Sequence, residues 1–560
     1  TSIYFKISCV DKTGDYGKDI KGDSSSILSL MKSPIAVLLA NMGFVLQISG
    51  IFILLPIVAG FVLHETEATL ALFITATAFL VLGFFANSLC EKREMNFKQS
   101  CTLLVLVFVI ISIIGSIPYF YIGVPDGSLF DRITNCIFES VAGFTTSGFT
   151  VIPDITLLPQ SIILYRSLTQ FIGGLGIVIV LLAFFYPEAK LREFAKTMGL
   201  SKSNHKIRKT FLFLIALYSS FTAFMVTVGY LFGYQDLINL ASLVFSAVST
   251  GGFSPVPDLA ALITQSPFNF IIPICMIFGA SNLLVLAKLY NKKFKDFLNS
   301  ETTFFLIIIA ISTVLLVSFF GLPLYDSGFH VISALSSSGF SYISISGLDD
   351  SLKLFLVALM FIGGASFSTA GGIKVYRFLL LIKSVPKALT FTVVGKDSKV
   401  RLFRKDYSNP EVIQAASMVF LTAGAIFIAS FIVSYYGYEP INAIFDCTSA
   451  LATTGLSTGV VGPSLVLELK WLFMFLMLLG RVEIMVFLVM FTNGKKQPKT
   501  NRTETAKEPA STEEPCYKPN KLIDFLESAW AFVVSKLRAF RDFFKQHVLS
   551  LFKLTKKDTT

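Results

Sequence analysis

Four short segments, widely separated in a chain of 560 residues, repeat one arrangement of glycine and hydroxyl side chains. They read Val141-Ala-Gly-Phe-Thr-Thr-Ser-Gly-Phe-Thr150, Phe245-Ser-Ala-Val-Ser-Thr-Gly-Gly-Phe-Ser254, Ile332-Ser-Ala-Leu-Ser-Ser-Ser-Gly-Phe-Ser341 and Thr448-Ser-Ala-Leu-Ala-Thr-Thr-Gly-Leu-Ser457. Aligned on Gly148, Gly252, Gly339 and Gly455, the position five before is Gly or Ala, and two before is Thr or Ser. The position after is Phe or Leu, and the next is always Thr or Ser. Such residues suit the coordination of a dehydrating cation. Rings of backbone carbonyls replace an ion's water shell, glycine permits the positive φ that turns successive carbonyls toward one axis, and hydroxyl oxygens suit hard cations. The candidate residues are Thr146, Ser147, Gly148 and Phe149; Thr250, Gly251, Gly252 and Phe253; Ser337, Ser338, Gly339 and Phe340; and Thr453, Thr454, Gly455 and Leu456. One copy alone would read as a small-residue helix-packing stretch; four copies favour a shared site.

Irregular backbone is excluded from lipid and tolerated only where it lines a cavity, so these segments need a membrane scaffold. A crossing takes about 20 mostly apolar residues, and ten stretches qualify, near 34–63, 67–88, 101–124, 158–186, 210–233, 268–290, 302–322, 352–384, 412–437 and 466–492. Basic loops follow the even-numbered stretches: Lys92, Arg93 and Lys98; Lys190 to Lys209; Lys288 to Lys295; and Lys374 to Lys405. The intervening loops carry Asp126, Asp131, Glu139, Asp154, Asp236, Asp258, Asp326, Asp349, Asp350, Glu439 and Asp446 against Arg132 alone. Lys and Arg are retained on the cytoplasmic side, so both termini are expected there. The four segments then lie at an acidic outer face that would concentrate cations.

Each segment is preceded by a helical stretch too short to span, such as 131–144 and 440–451. About 25 residues later comes a second glycine marker: Phe171-Ile-Gly-Gly174, Phe278-Gly-Ala-Ser281, Phe361-Ile-Gly-Gly364 and Leu479-Gly-Arg-Val482. The repeating unit is helix, re-entrant half-helix, glycine loop, helix, and with two crossings per unit the copies face the same way. The partly negative C-termini of the half-helices would also favour a cation. The expected fold is an all-α membrane protein: four parallel repeats around one pseudo-fourfold pore, plus two extra N-terminal transmembrane helices. Its divisions are a polar tail (1–33), two accessory helices (34–100), repeats at 101–200, 201–300, 301–410 and 411–492, and a cytoplasmic linker with an amphipathic tail helix (493–560).

Composition narrows the function class. Apolar residues make up 54% of the chain and charged residues 15%, against about 25% charged in soluble domains. The net charge of +11 lies in the inner loops and tail, where it sets topology and gives no argument for nucleic acid. The seven Cys and four His are scattered without metal or disulfide spacing. No glycine-rich phosphate loop or Rossmann fingerprint is present, so neither an enzyme nor an organic cofactor is expected. The first thirty residues hold no apolar h-region of a cleavable signal peptide. In the tail, Leu522, Phe525, Leu526, Trp530, Val533, Leu537, Phe540 and Phe544 share a face interleaved with Lys536, Arg538, Arg541 and Lys545, which suits the inner leaflet or a docked partner.

Three further runs join the four segments in a resemblance to a known family: Arg166-Ser-Leu-Thr-Gln-Phe-Ile-Gly-Gly-Leu-Gly176, Gly363-Gly-Ala-Ser-Phe-Ser-Thr-Ala-Gly-Gly-Ile-Lys-Val-Tyr-Arg377 and Gly480-Arg-Val-Glu483. Over about residues 34–492 the chain resembles the Trk/Ktr/HKT superfamily of potassium transporters, with its two extra helices most like the Trk-type membrane subunit. The resemblance implies K+ as the transported ion, a filter selective for K+ when glycine fills all four positions, a homodimer in the cell membrane, and a separate cytosolic nucleotide-binding regulator of the RCK type. It also implies a gate, an intramembrane loop at Gly363 to Gly372 including Gly364, Ser366, Ser368, Thr369 and Gly371, with Arg481 in the pore below the filter. The residues agree with that placement. Each internal glycine weakens a helix by about 1 kcal/mol relative to Ala, and Arg481 and Glu483 inside an apolar span are costly enough to be functional or to form a structural ion pair. Lys374 reads either as gate or as cytoplasmic anchor. Symport with Na+ or H+, or a weakly selective cation channel, stays open. The chain departs from the family pattern at Phe367, a bulky ring in the gate run, and at Leu456, where the other copies have Phe.

Overall fold

The structure, a computed structural model, describes residues 34–89, 97–124, 127–184, 207–257, 259–263, 267–283, 285–286, 297, 300–394, 400–403 and 405–491. The polar N-terminal tail, most of the basic loops and the amphipathic tail segment lie outside the described residues.

An N-terminal hairpin comes first, built from Pro34–Phe52, Leu54–Val62 and Thr66–Leu89. Its first stretch breaks at Ile53, three residues before Pro56, where a proline ring removes a backbone donor. The two long helices pack at small residues, since a Cβ on Gly43 or Gly83 would collide with the other glycine's carbonyl. The Glu65 carboxylate at the hairpin's tip accepts from the backbone N–H groups of Gln160 (2.8 Å) and Ser161 (3.0 Å). These are orphan donors of a helix N-terminus, so the hairpin caps the first unit.

Four units follow in the same order. The first helices are Phe97–Gly115 with Ile117–Ile122, Ile207–Leu231, Glu301–Phe320 and Asn409–Tyr435. The short helices are Leu129–Phe144, Leu237–Val248, Leu324–Leu335 and Pro440–Leu451. The second helices begin at Gln160–Phe184, Phe268–Ala280, Asp350–Ile362 and Leu467–Val482. Six described helices are long and apolar enough to cross a membrane, and they are the hairpin's two arms and the four first helices. The second helices of units two, three and four stop after 13, 13 and 16 residues, so polar breaks divide the expected crossings there. Phe319, Phe420 and Phe427 on the first helices are 79%, 78% and 74% exposed, as bilayer-facing side chains should be.

One local correction to the all-α expectation lies between units three and four. Val400–Leu402 pairs antiparallel with Lys405–Tyr407, Val400 opposite Tyr407. The alternation pays off sterically, because Val400, Leu402 and Tyr407 are buried together against Leu380 and Ala415.

Candidate functional site

All four short helices end in one hydrogen-bonded motif. At the first, Thr146 N–H donates to Gly143 O (2.9 Å) and Ser147 N–H to Ala142 O (2.9 Å). The same pair recurs as Thr250 to Ala247 and Gly251 to Ser246, Ser337 to Ala334 and Ser338 to Ser333, and Thr453 to Ala450 and Thr454 to Ser449. This is the Schellman termination, whose left-handed residue is usually glycine. Here it is Thr146, Thr250, Ser337 and Thr453, at φ of 56°, 54°, 49° and 48°. A non-glycine residue at positive φ is uncommon, and a β-branched one, as in the three threonine copies, is a genuine outlier costing about 1–3 kcal/mol, so a hydroxyl is kept at this position against conformational preference in every copy. Two residues on, Gly148, Gly252, Gly339 and Gly455 return to positive φ, at 76°, 80°, 73° and 90°.

The four loops close on one another. A Cβ on Gly148 would strike Gly251 O, on Gly252 it would strike Ser338 O, on Gly339 Thr454 O, and on Gly455 Ser147 O. The contacts run one to two to three to four and back to one, which makes a ring. The residue after each glycine, Phe149, Phe253, Phe340 or Leu456, is at most 2% exposed. Phe149 meets Phe473 of unit four edge to face at 6.1 Å, Phe340 is buried in a cluster with Ile272 and Met276 of unit two, and Leu456 in one with Leu356 and Met360 of unit three. Phe149, Phe340 and Leu456 thus share the apolar core of the preceding unit's second helix, and Leu456 fills the same kind of socket as those two phenylalanines, whereas Phe253 packs under the Arg166 guanidinium of unit one.

Nine residues before the ring glycines stand Glu139, Leu243, His330 and Asp446, and three of these brace the descending loop. Glu139 accepts from Thr150 Oγ1 (2.6 Å), Val151 N–H (2.6 Å) and Arg166 Nη2 (3.1 Å). Asp446 accepts from Ser457 Oγ (2.6 Å), Thr458 N–H (2.8 Å) and Val461 N–H (3.1 Å). His330 Nε2 lies 3.2 Å from Ser341 Oγ. Two acids of the expected outer face are therefore corrected, since Glu139 and Asp446 are fully buried and their charge is met by loop backbone and hydroxyls, with Arg166 added at Glu139. Others of that set serve helix starts. Asp236 accepts from Asn239 N–H (3.1 Å), and hydrogen bonds from Thr156 hydroxyl and amide hold the exposed Asp154 carboxyl below its usual range. Asp126 and Asp258 lie outside the described residues.

The second glycine markers have a steric origin. A Cβ on Gly173, Gly279 or Gly480 would collide with the carbonyl of Phe144, Val248 or Leu451, the last helical residue of the same unit's short helix. Unit three departs from this, because Gly363 (φ 73°) packs instead on Gly371 and Gly372. Between Ile362 and Val375 the chain leaves the helix and folds against the ring. Thr369 Oγ1 donates to Gly279 O (3.0 Å) and lies 3.1 Å from Thr250 Oγ1, and Gly371 N–H donates to Ser337 Oγ (2.7 Å). A Cβ on Gly371 would strike Ala452 O and Thr453 Oγ1. Ala365 N–H reaches Ala280 O (2.9 Å), and Gly364 packs on the same carbonyl. Gly372 (φ 75°) contacts Gly363, while Ser368 Oγ donates to Ala365 O within the loop. Phe367, half-buried at φ 56°, accepts on its carbonyl from Leu283 N–H (3.3 Å), so the ring expected to crowd the loop sits where the backbone is itself left-handed.

Charged groups tie this loop down. Arg481, 5% exposed, donates to Thr369 O (2.8 Å) and to Gly173 O, joining the loop to the first unit. Carbonyls rather than a carboxylate are its partners. Glu483, at φ 67° where the last second helix breaks, instead pairs with Arg377 (2.8 Å). Lys374 donates to Ala370 O inside the loop, which sets it with the loop rather than with a distant anchor. The sequence reading overlooked Glu301, whose carboxylate accepts from Ser366 N–H (2.9 Å), Ser366 Oγ (3.2 Å) and Tyr376 N–H (2.9 Å). An acid opening an apolar span was its one visible signal. Extending the fourfold alignment back by nine residues would have singled out Glu139, His330 and Asp446.

Thr146 Oγ1, Thr453 Oγ1 and Thr454 Oγ1 are buried without a protein hydrogen-bond partner. Buried hydroxyls of that kind are normally satisfied, so oxygen is held in reserve at the ring.

Comparison with known proteins agrees with this architecture. The family model described as TrkH, cation transport protein, matches residues 67–503. An uncharacterized cation transporter of Methanocaldococcus jannaschii, MJ1485, is 31% identical over 481 residues, 83% of this chain and 97% of that protein. The Trk system potassium uptake protein TrkH of Salmonella typhimurium is 27% identical over 431 residues, 72% of this chain and 86% of that one. The crystal structure of the potassium transporter TrkH from Vibrio parahaemolyticus superposes with a TM-score of 0.71 at 21% identity, covering 82% of this chain and 98% of the other.

Proposed function

Because the chain belongs to the TrkH family of cation transport proteins, we propose that it moves K+ across the cell membrane through the ring of four glycine loops, gated by the segment Gly363 to Gly372. The observation that carries this reading is the cyclic closure of the ring, each glycine against the next loop's carbonyl. Four copies of a backbone that alternates into the left-handed region crowd carbonyl oxygens about one axis, where they can replace an ion's hydration shell. The four short helices bring their partly negative C-termini to the same point. The unpartnered hydroxyls of Thr146, Thr453 and Thr454 supply further hard oxygen.

The loop closes this path from below. It bonds to Thr250 and Ser337 of the ring, and the guanidinium of Arg481 spans from the loop to Gly173. A fixed positive charge beside a narrow cation path is an electrostatic barrier. Polar contacts from Glu301, Arg481 and the ring itself hold the loop, and the apolar side chains it buries are small, chiefly Ala365 and Ala370. Passage is then downhill, inward when the membrane is negative inside. On the same reading both termini are cytoplasmic, the protein is a homodimer, and a separate cytosolic nucleotide-binding protein supplies the force that moves the loop.

The test is Rb+ uptake into vesicles of purified protein, with K+, Na+ and Li+ as competitors. K+ should compete and Na+ and Li+ should not, and Arg481→Ala should raise uptake severalfold. Equal competition by all three would remove the filter reading, and lower uptake in well-folded Arg481→Ala protein would remove the gate.

A further inference from the structure

The ring's four joints are not alike. Counting back from the close-approach glycines Gly173, Gly279 and Gly480, and from Gly363 in the third unit, the residue seven before is Arg166, Ile272, Phe473 and Leu356 respectively. The residue three before is Gln170, Met276, Met477 and Met360. Three joints are therefore built from an aliphatic or aromatic residue plus methionine, all at most 1% exposed, in the same buried cluster as the next unit's Phe340, Phe149 or Leu456. The joint from unit one to unit two is polar. Arg166 lies 4.1 Å over the Phe253 ring while paired to Glu139. One turn on, Gln170, 0% exposed, reaches into the second loop.

The Gln170 carboxamide uses both ends there. Its oxygen accepts from Ser246 Oγ (2.7 Å) and Phe253 N–H (3.3 Å), and its nitrogen donates to Gly251 O (2.7 Å). Gly251 O is the ring carbonyl that lies against Gly148. The second loop also differs from its siblings in two ways that fit this. It has Leu243 where the others have a polar brace, and Gly251 where they have Ser147, Ser338 and Thr454. A Cβ at Gly251 would collide with the Gln170 carboxamide, so the glycine is the space the amide occupies.

We infer that Gln170 is a specificity-determining positioning residue: it fixes the Gly251 carbonyl in the ring in place of the brace and side chain that the second loop lacks. This rests on the reading of the ring as a K+ filter. Methionine is close to glutamine in length and is what the other three joints use, so Gln170→Met keeps the volume and removes only the hydrogen bonds. A buried carbonyl that loses such a bond is free to shift, and a filter that discriminates by carbonyl position loses selectivity before it loses conduction.

The experiment measures K+/Na+ permeability ratios and thermal midpoints in vesicles for the native protein, Gln170→Met, Gly251→Ser and the double variant. Gln170→Met should lower the ratio about tenfold, equivalent to about 1.4 kcal/mol, with Rb+ uptake persisting. Gly251→Ser alone, which drives a side chain into the hydrogen-bonded amide, should lose uptake, and Gln170→Met with Gly251→Ser, which gives this joint the methionine and hydroxyl residue of the other three while Arg166 stays, should recover part of it, because a methionine without those hydrogen bonds can turn aside. An unchanged ratio in folded Gln170→Met protein would overturn the inference, as would additive effects in the double variant. A native protein that shows no K+ preference would instead overturn the filter reading itself, so the two failures are distinguishable.

Discussion

At the scale of single residues, the ring is maintained against local preference. Threonine at positive φ in loops one, two and four and serine in loop three shows that a hydroxyl is worth more there than the relaxed backbone glycine would give. Thr453→Gly should therefore stabilise the helix end, by relieving the left-handed strain, yet reduce K+ flux; a thermal melt and an uptake assay on the same sample check both halves. The buried Glu139–Arg166 pair gives a second expectation. Removing one member leaves an uncompensated charge, at a cost of about 3–5 kcal/mol, so Arg166→Met should unfold the protein at markedly lower temperature than Glu139→Gln with Arg166→Met, which removes both charges. The ring residues were legible in the sequence because glycine and hydroxyl recur four times in register. Glu139 and Asp446 were legible only as acids, since a carboxylate's burial depends on which loop folds back over it, and that is a tertiary fact.

At the scale of elements, the division between intact first helices and interrupted second helices is the main structural finding. The breaks at Ser281, Gly363 and Glu483 lie where the chain must pass close to a short helix or fold beneath the ring. The sequence displayed the glycines of this pattern, and the close-approach role of Gly173, Gly279 and Gly480 explains them. It did not display Glu301, whose partners Ser366 and Tyr376 lie more than sixty residues away. Glu301 holds the loop's start and end with one carboxylate, so Glu301→Ala should free the loop and raise Rb+ uptake while leaving the K+/Na+ ratio unchanged, because the ring is untouched. A changed ratio would mean that the loop also shapes the filter. Glu483→Gln weakens the pairing with Arg377 and should raise uptake less, the effect being read in the same assay.

At the scale of the whole molecule, internal repetition and loop charge organise the chain, and both are legible in the sequence. The proposed topology rests on the Lys and Arg distribution and has a direct check. Leu157→Cys, on an exposed position between the first short helix and its second helix, should react with a membrane-impermeant maleimide on intact cells, whereas the exposed Leu389→Cys should react only after permeabilisation. The fold's departures from exact fourfold repetition, at the polar first joint and the unwound third unit, are where selectivity and gating are assigned, and simple motif alignment passes over both. The central claim is that the closed ring of four glycine loops selects K+. The reversal potential of the purified protein in a bilayer with K+ on one side and Na+ on the other, native against Gly148→Ser, tests it most directly. The account predicts a potential displaced strongly toward that of K+ in the native protein and a collapse toward zero in the variant; a native potential near zero, or one that Gly148→Ser leaves in place, would contradict it.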